Sequence, residues 1–439
     1  MKNILVLGLG VSGLSVCRHF IERRDVSLLI FDDQLEKALH RTDAAFLSEC
    51  ENGKVELLTL DAAVTNIERV DLVVASPGIP KNHPLIIAAQ LQSREVICDV
   101  ELACRELLGT IPQMVGITGS NGKTTVTLLT THIMNYAGIP AQAVGNIGVP
   151  VLDIVESGEK KYPLLVVELS SFQLETMSTP IFQTGIVLNV TPNHLDYHGS
   201  MTAYKKAKLR LQGCIRDDGS LFAHESIENV PAQFYGFRET SDLRSDGKWV
   251  IRFGVKEVEL PASLQGIHSH EVENFLAAYA LCRECDISPN ICIEAFASFK
   301  KPAHRIQFIR EVSGVGYYDD SKGTNIAAVM RAVESVPSKV ILIAGGMHKG
   351  ESYSAWIELF QKKVRMIFAI GQAASLIEND LKDTIPVELC ATLEEAVLAA
   401  SKIAQHGESV LLSPGCSSYD MFKNYIERGE RFQAQVAKL

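Results

Sequence analysis

Three stretches of the chain carry residue types at spacings suited to phosphate chemistry. The first, Gly8-Leu9-Gly10-Val11-Ser12-Gly13, is a complete GxGxxG between an apolar run and a helical pattern. Its glycines let the backbone approach an anion at a helix N-terminus. Asp32 ends the next apolar run, where a dinucleotide-binding unit carries an acid for a ribose hydroxyl. Taken alone, this loop fits a nicotinamide dinucleotide, another nucleotide such as a sugar nucleotide, or a tight turn with no ligand. The second stretch is GITGSNGKTT, residues 116–125, after the apolar run 114–118 and before a helical pattern. Ile117 stands where a strict P-loop has its first glycine. The mechanics survive that departure. Gly119 and Gly122 permit a nest of N–H groups, Lys123 supplies a point charge and Thr124 a hydroxyl for Mg²⁺. This stretch predicts ATP, with GTP as the alternative. The third is a set of strand-end residues. Glu168 closes the apolar run 164–168, and His194 follows the run 184–189. Mg²⁺ takes hard oxygen ligands, so Glu168 is a candidate, against a buried, satisfied carboxylate. His194 is a ligand candidate or a core histidine. Lys208, in the run YKKAKLR, reads by itself as part of a solvated charged face.

Alternating strand and helix patterns must hold these residues. Strands are expected at 4–8, 27–32 and 71–76, with a helix at 13–22 and a turn at Ser76-Pro77-Gly78. Ile111-Pro112 reads as the entry to a second domain. That domain has strands at 114–118, 164–168 and 184–189, and helices at 123–137, 203–212 and 273–285. The polar, turn-rich segment 216–258 reads as an appendage of short antiparallel strands. Lys300-Lys301-Pro302 marks a second break and a candidate hinge. Beyond it, strands at 316–319, 340–344, 366–370 and 409–412 alternate with helices such as 326–333 and 393–405. The expected fold class is α/β, in three domains.

Composition bounds the remaining options. The 439 residues are 46% hydrophobic and 21% charged, which excludes a disordered chain. A net charge of −10 disfavours general nucleic-acid binding. No apolar run reaches the ~18 residues of a membrane helix. Lys2 and the apolar residues 4–16 mimic a secretion signal, but Gly8, Gly10 and Gly13 interrupt them and no cleavage site follows. Ten cysteines without framework spacing fit a reducing, cytoplasmic setting. Cys282-Arg-Glu-Cys285 lacks the second pair a zinc site wants, so it reads as two buried helix thiols.

Taken in order, GITGSNGKTT, GNIGVP, ELSSFQLE, NVTPNHLDYH, KAKLR, HRIQ, DDSKGTN and LSPGCSSYDMFKNYIERG resemble the Mur ligases of peptidoglycan synthesis. The resemblance runs from Gly8 to Gly429. ELSSFQLE and LSPxCxSxDxFKNxxxRG match the branch that adds D-glutamate. DDSKGTN stands where the diamino-acid-adding branch carries DNPR. The resemblance implies a Rossmann-like UDP-binding domain over 1–98, a central P-loop ATPase domain over 99–301 and a Rossmann-like amino-acid-binding domain over 302–439. It implies that Gly10, Val11, Ser12, Asp32, Asp33 and Ser76 hold the uridine nucleotide, and that Asn146 and His194 contact the muramoyl-alanine part. Gly119, Ser120, Asn121, Gly122, Lys123, Thr124, Thr125, Asn274, Arg305 and Asp320 are the implied ATP contacts. Thr124 and Glu168 would bind one Mg²⁺. Lys208, carbamylated in the family, would bind a second with Glu168 and His194, which displaces the solvated-face reading. Lys322, Thr324, Lys349, Ser418 and Tyr425 match the D-glutamate region.

The implied reaction phosphorylates the alanyl carboxylate with ATP, and the amine of D-glutamate then attacks the acyl phosphate. Lys123, Glu168, His194, Lys208 and Arg305 are the expected catalytic set, with the third domain closing about residues 300–302. The expected partners are small molecules: the UDP-linked substrate, D-glutamate and ATP. No nucleic acid and no membrane insertion is expected, and the protein is expected to be monomeric. Three departures from the family pattern stand out. Glu271 occupies a place usually held by Asn, before Asn274, in a segment two residues longer than usual. Tyr425 replaces a common Phe and Gly323 a common Ala, both read as mild. The alternatives are a sister ligase or folylpolyglutamate synthase, a nicotinamide-dependent oxidoreductase built on the first loop, and a non-catalytic nucleotide-binding scaffold.

Overall fold

Parallel pairing of short apolar runs builds three sheets. In the computed structural model the described residues are 1–439 apart from 22, 41, 43, 109–112, 157–163 and 267–269. The first sheet centres on strand Lys2–Leu7, paired in parallel with Val26–Phe31 and Leu72–Ala75. Val55–Leu57 and Glu95–Ile97 form its edges. Leu5, Val6, Leu7, Leu28 and Ile30 are fully buried, as expected where helices cover both faces. The glycine loop leaves the central strand where the strand order reverses, the usual ligand crevice of such sheets. The helix after it starts earlier than the sequence pattern suggests, at Val11, and runs to Ile21. A Cβ on Gly13 would come within 1.8 Å of the Gly8 carbonyl oxygen, so this glycine allows the helix to seat on the loop.

The second sheet has nine strands, and its middle is Gln113–Thr118 between Phe182–Val187 and Leu164–Glu168. Ala141–Gly145 lies beyond Leu164–Glu168 at one edge. Segment 216–258 is not the antiparallel appendage expected. Ile215–His224, Gln233–Gly236 and Leu243–Ser245 continue the sheet in parallel, and only Trp249–Arg252 and Val255–Glu259 run antiparallel. The parallel contacts here are two or three residues long, so a return of roughly 10 Å suffices and no crossover helix is needed. Short polar connections therefore misled the hairpin reading.

The third sheet runs in the order Gln307–Val312, Val315–Asp319, Ser409–Leu412, Val340–Gly345, Val364–Ile370 and Val387–Leu389. Only the Gln307–Val312 edge is antiparallel. The chain divides into two compact units, residues 1–190 with 205–299 and residues 191–204 with 300–439. The first two sheets share a unit. Within it, helix Val11–Ile21 packs on Val151–Glu156, where Arg18 and Ser15 both bond to Asp153.

Ile111-Pro112 lies outside the described residues. Among the described residues no helix is long and apolar enough to cross a membrane. All ten cysteines are free thiols. Cys282 is buried in helix His270–Arg283, whereas Cys285 lies past the helix end and is half-buried, so only one of the pair is a buried helix thiol.

Candidate active site

The first loop is held by its own acid. Asp32 Oδ2 accepts from the Leu9 N–H at 2.7 Å, and Oδ1 accepts from the Gln34 N–H at 2.7 Å. Ser76 Oγ donates to the Gly8 carbonyl at 2.9 Å, and Gly8 takes a φ of +87°. Asp32 and Ser76 therefore shape the loop before they meet any ligand. Asp32, Asp33 and Lys37 line one pocket beside the loop. Val11, Ser12 and Pro77 line a second, together with Asn146 and Gly148, which follow strand Ala141–Gly145, and Gln173, which follows strand Leu164–Glu168. Gly10 immediately precedes Val11 in the loop. Asp99, which the sequence reading passed over, supports this second pocket. It is buried, and burial raises its carboxyl above the ordinary range, opposed in part by the side chains of Ser12 and Gln173.

Behind the second glycine loop, helix Lys123–Tyr136 buries Val126, Leu129, Ile133 and Met134 at helical spacing. That packing aims the helix N-terminus at the loop. Gly122 caps it at φ +86°, and a Cβ there would come within 2.6 Å of Asn274 Oδ1. Asn274 is thus beside the loop. Asn189, another residue missed in the sequence, clasps the loop from the end of its neighbouring strand. Its Oδ1 accepts from the Asn121 N–H at 2.9 Å, its Nδ2 donates to the Asn121 carbonyl at 3.1 Å, and its own carbonyl accepts from the Ser120 N–H at 2.9 Å. Asn189→Ala is expected to loosen the loop by about 1–3 kcal/mol and raise the KM for ATP about tenfold. An unchanged KM in a folded variant would refute this.

Two lysines meet at one carbonyl. Lys123 Nζ and Lys208 Nζ each donate to the Gly119 carbonyl at 2.8 Å, and Lys123 also donates to the Ser120 carbonyl at 3.1 Å. Lys206 is exposed and Arg210 bonds the Leu174 and Met177 carbonyls, but Lys208 is 1% exposed, which overturns the solvated-face reading. Burial, with Lys123 nearby, holds the Lys208 amine well below its ordinary pKa, and Glu168 opposes this only in part. Glu168 is buried. Its Oε1 accepts from Asn146 Nδ2 at 2.9 Å, and its Oε2 has no hydrogen-bond partner. Thr124 and Thr125 are half-buried on the first helical turn. Among the described residues no three His, Cys, Asp or Glu side chains converge on one metal position. Mg²⁺ needs fewer, since it keeps waters and takes one or two carboxylates with substrate phosphates. The unpartnered Glu168 oxygen fits that pattern. His194 belongs to the other unit, at φ +55° before the short helix Leu195–His198.

In that second unit the implied amino-acid residues follow three neighbouring parallel strands. Lys322 and Thr324 follow Val315–Asp319, just after Asp320, an implied ATP contact; Ser418 follows Ser409–Leu412; Lys349 follows Val340–Gly345. Lys349 Nζ donates to the Thr324 carbonyl at 2.9 Å, and burial lowers its pKa. Lys322 Nζ lies 4.0 Å from the centre of the Tyr425 ring. Tyrosine or phenylalanine serves that cation–π contact, so this departure is mild. Gly323 is different. A Cβ there would come within 2.2 Å of Asp320 Oδ2, so this glycine gives Asp320 its place. Asp320 accepts from Ser413 Oγ at 2.7 Å and from the Ile306 N–H at 3.3 Å. Burial pushes its carboxyl up to about 7 against the hydrogen bond from Ser413 and the charge of Arg305.

A phosphate loop on a central parallel sheet, a glycine-loop sheet before it and a doubly wound sheet after it define an ATP-dependent ligase class. The chain belongs to the Mur ligase family. Its residues 2–98 match the Mur ligase MurD-like N-terminal domain, 117–282 the Mur ligase middle domain, and 304–416 the Mur ligase glutamate ligase domain. It is 41% identical to the UDP-N-acetylmuramoylalanine--D-glutamate ligase of Protochlamydia amoebophila (strain UWE25), over 100% of this chain and 98% of that one. It is 36% identical to the enzyme of that name from Chlamydia pneumoniae, over 100% and 99%. Among solved structures, UDP-N-acetylmuramate-alanine ligase MurC from Thermotoga maritima shares the fold, with a TM-score of 0.59 at 18% identity over all of both chains. MurF from Acinetobacter baumannii does so with a TM-score of 0.61 at 16% identity, covering 86% of this chain and 92% of its own.

Proposed function

We infer that this chain is the ATP-dependent ligase that joins D-glutamate to UDP-N-acetylmuramoyl-L-alanine in cytoplasmic peptidoglycan precursor synthesis. The observation that carries this reading is the cluster at the Gly119 carbonyl, where Lys123 and the buried Lys208 meet in the field of Glu168. An oxidoreductase built on Gly8–Gly13 has no use for it, and a passive scaffold has no reason to bury Lys208.

The chemistry follows from the substrates. A carboxylate is a poor electrophile, so ATP first converts the alanyl carboxylate to an acyl phosphate. The D-glutamate amine then adds to it, and the tetrahedral intermediate expels phosphate. No protein nucleophile is needed, and positioning with electrostatics carries the rate. The N–H groups at the N-terminus of helix Lys123–Tyr136 hold the phosphates, Lys123 and Arg305 counter their charge, and Asn274 borders the nucleotide. Thr124, Glu168, His194 and carbamylated Lys208 would hold two Mg²⁺. Bound Mg²⁺ neutralises charge on the transferred phosphoryl group. Gly10, Val11, Ser12, Asp33 and Asn146 bind the UDP-linked substrate, with Asp32 and Ser76 fixing the loop. Lys322, Thr324, Lys349, Ser418 and Tyr425 bind D-glutamate, whose two carboxylates suit the two lysines. The domains are taken as 1–98, 99–301 and 302–439.

The deciding assay follows ADP release with ATP, Mg²⁺ and UDP-N-acetylmuramoyl-L-alanine while amino acids are varied. D-Glutamate is expected to stimulate release, and L-alanine or a diamino acid to leave it at background. Stimulation by a different amino acid alone would assign the chain to a sister ligase.

A further inference from the structure

Arg305 sits between two residues whose backbones are unusual. His304 has a φ of +61° and Ile306 a φ of +48°, so both lie in the left-handed region, which a β-branched residue such as Ile306 avoids. Such a conformation persists only where the surroundings fix it. Here two consecutive buried carboxylates do so. Asp319 Oδ2 lies 2.7 Å from His304 Nδ1, while Asp320 Oδ1 accepts from the Ile306 N–H. His304 is pinned further through its N–H to Gln307 Oε1 at 3.1 Å and its carbonyl to the Lys322 N–H at 3.1 Å. Asp319 is itself held from the last helix, Tyr425–Val436, by Gln433 Nε2 at 2.7 Å, and its other oxygen accepts from the Ser321 N–H at 2.9 Å.

The last helix also makes room for the ring. A Cβ at Gly429 would come within 2.1 Å of His304 Nδ1 and 2.8 Å of Asp319 Oδ2. A glycine inside a helix weakens it, so its presence there needs a reason of this kind. The turn at Ser321–Lys322 has other anchors. Arg428 Nη2 donates to the Ser321 carbonyl at 2.7 Å, and Ser321 Oγ donates to the Tyr425 carbonyl at 2.8 Å. The turn at 304–306 draws its side-chain support from the two aspartates, Gln307 and Gln433, whose Nε2 lies 3.4 Å from His304 Nδ1 as well as bonding Asp319. We propose that Asp319 is a positioning residue for Arg305, acting through the His304 ring to hold the strained turn that presents the guanidinium. This rests on the assignment of Arg305 to the phosphates of ATP.

A double-mutant cycle tests it, read as kcat at saturating ATP with melting curves as the check on folding. Asp319→Ala is expected to lower kcat about tenfold or more, because a small misplacement of a charge-stabilising group is costly. Asp319→Asn, which can still bond the ring, should recover most of that loss. In an Arg305→Ala background, Asp319→Ala should cost less than about twofold, and in a Lys322→Ala background its full effect should remain. If Asp319→Ala does not fold, His304→Gly takes its place, since glycine accepts the positive φ and lacks the ring. Equal losses with and without Arg305, or coupling to Lys322 alone, would overturn the positioning role and leave the assignment of Arg305 standing. Undiminished kcat in Arg305→Ala would overturn that assignment and this inference with it.

Discussion

Lys123→Ala is expected to abolish D-glutamate-dependent ADP release while the protein still folds. The side chain leaves the first turn of helix Lys123–Tyr136 and reaches back to the Gly119 and Ser120 carbonyls, so its charge lies inside the loop. It is half-buried, and its removal opens no large core cavity. The fold should therefore survive, with a melting temperature close to that of the parent. The rate should not. Removing one preorganised charge-stabilising group costs roughly 10²–10³ in kcat, and phosphoryl transfer relies on such groups almost entirely. The neighbouring Lys208 compounds the effect, because the charge of Lys123 helps to hold its amine pKa down. Near-normal ADP release by folded Lys123→Ala would remove the ATP assignment from this loop.

What the sequence made legible follows from how local each signal is. Strands Leu164–Glu168 and Ser409–Leu412 fall at the expected residues, because an unbroken apolar run between polar turns can only be a buried strand or a buried helix, and these are too short for a helix. The phosphate loop was equally plain, since its glycines, lysine and threonine are contiguous. The residues that fix these loops in space were not. Asn189 and Asp319 act through bonds, and Asp99 through burial, among groups that are distant in sequence, and each reads locally as an ordinary strand-end or helix-start polar residue. Gly323 and Gly429 carried a signal in retrospect, as glycines whose only evident use is to leave room for a neighbouring side chain. Lys208 shows the limit most directly. Lysines two residues apart look alike in sequence, yet helix Met201–Leu209 turns Lys206 to water and Lys208 inward.

That burial sets up the second large effect. Lys208→Ala is expected to lose activity by about 10²-fold or more, to regain part of it with added acetate or formate, and to leave the parent enzyme as the one that depends on dissolved carbon dioxide. A charged ammonium is costly at a site 1% exposed, and Lys123 repels it at the shared carbonyl. The physical outcome is an amine that is neutral at a lower pH than usual. The neutral amine is the form that adds carbon dioxide, forming an N–C bond and releasing one proton to give a carbamate. This exchanges a disfavoured cation for an anion beside Lys123, and it supplies a second carboxylate near Glu168, whose Oε2 has no hydrogen-bond partner. In alanine's place a small free carboxylate can enter the vacated space, whereas a role limited to the bond with Gly119 would gain nothing from it. The sign of the pH effect is fixed by the same chemistry: activity should fall as pH drops through the pKa of the buried amine, since protonation blocks carbamylation. Full activity in buffer stripped of carbon dioxide, with an intact mass lacking the carbamate, would leave Lys208 as a buried, unmodified amine and remove it from the metal site.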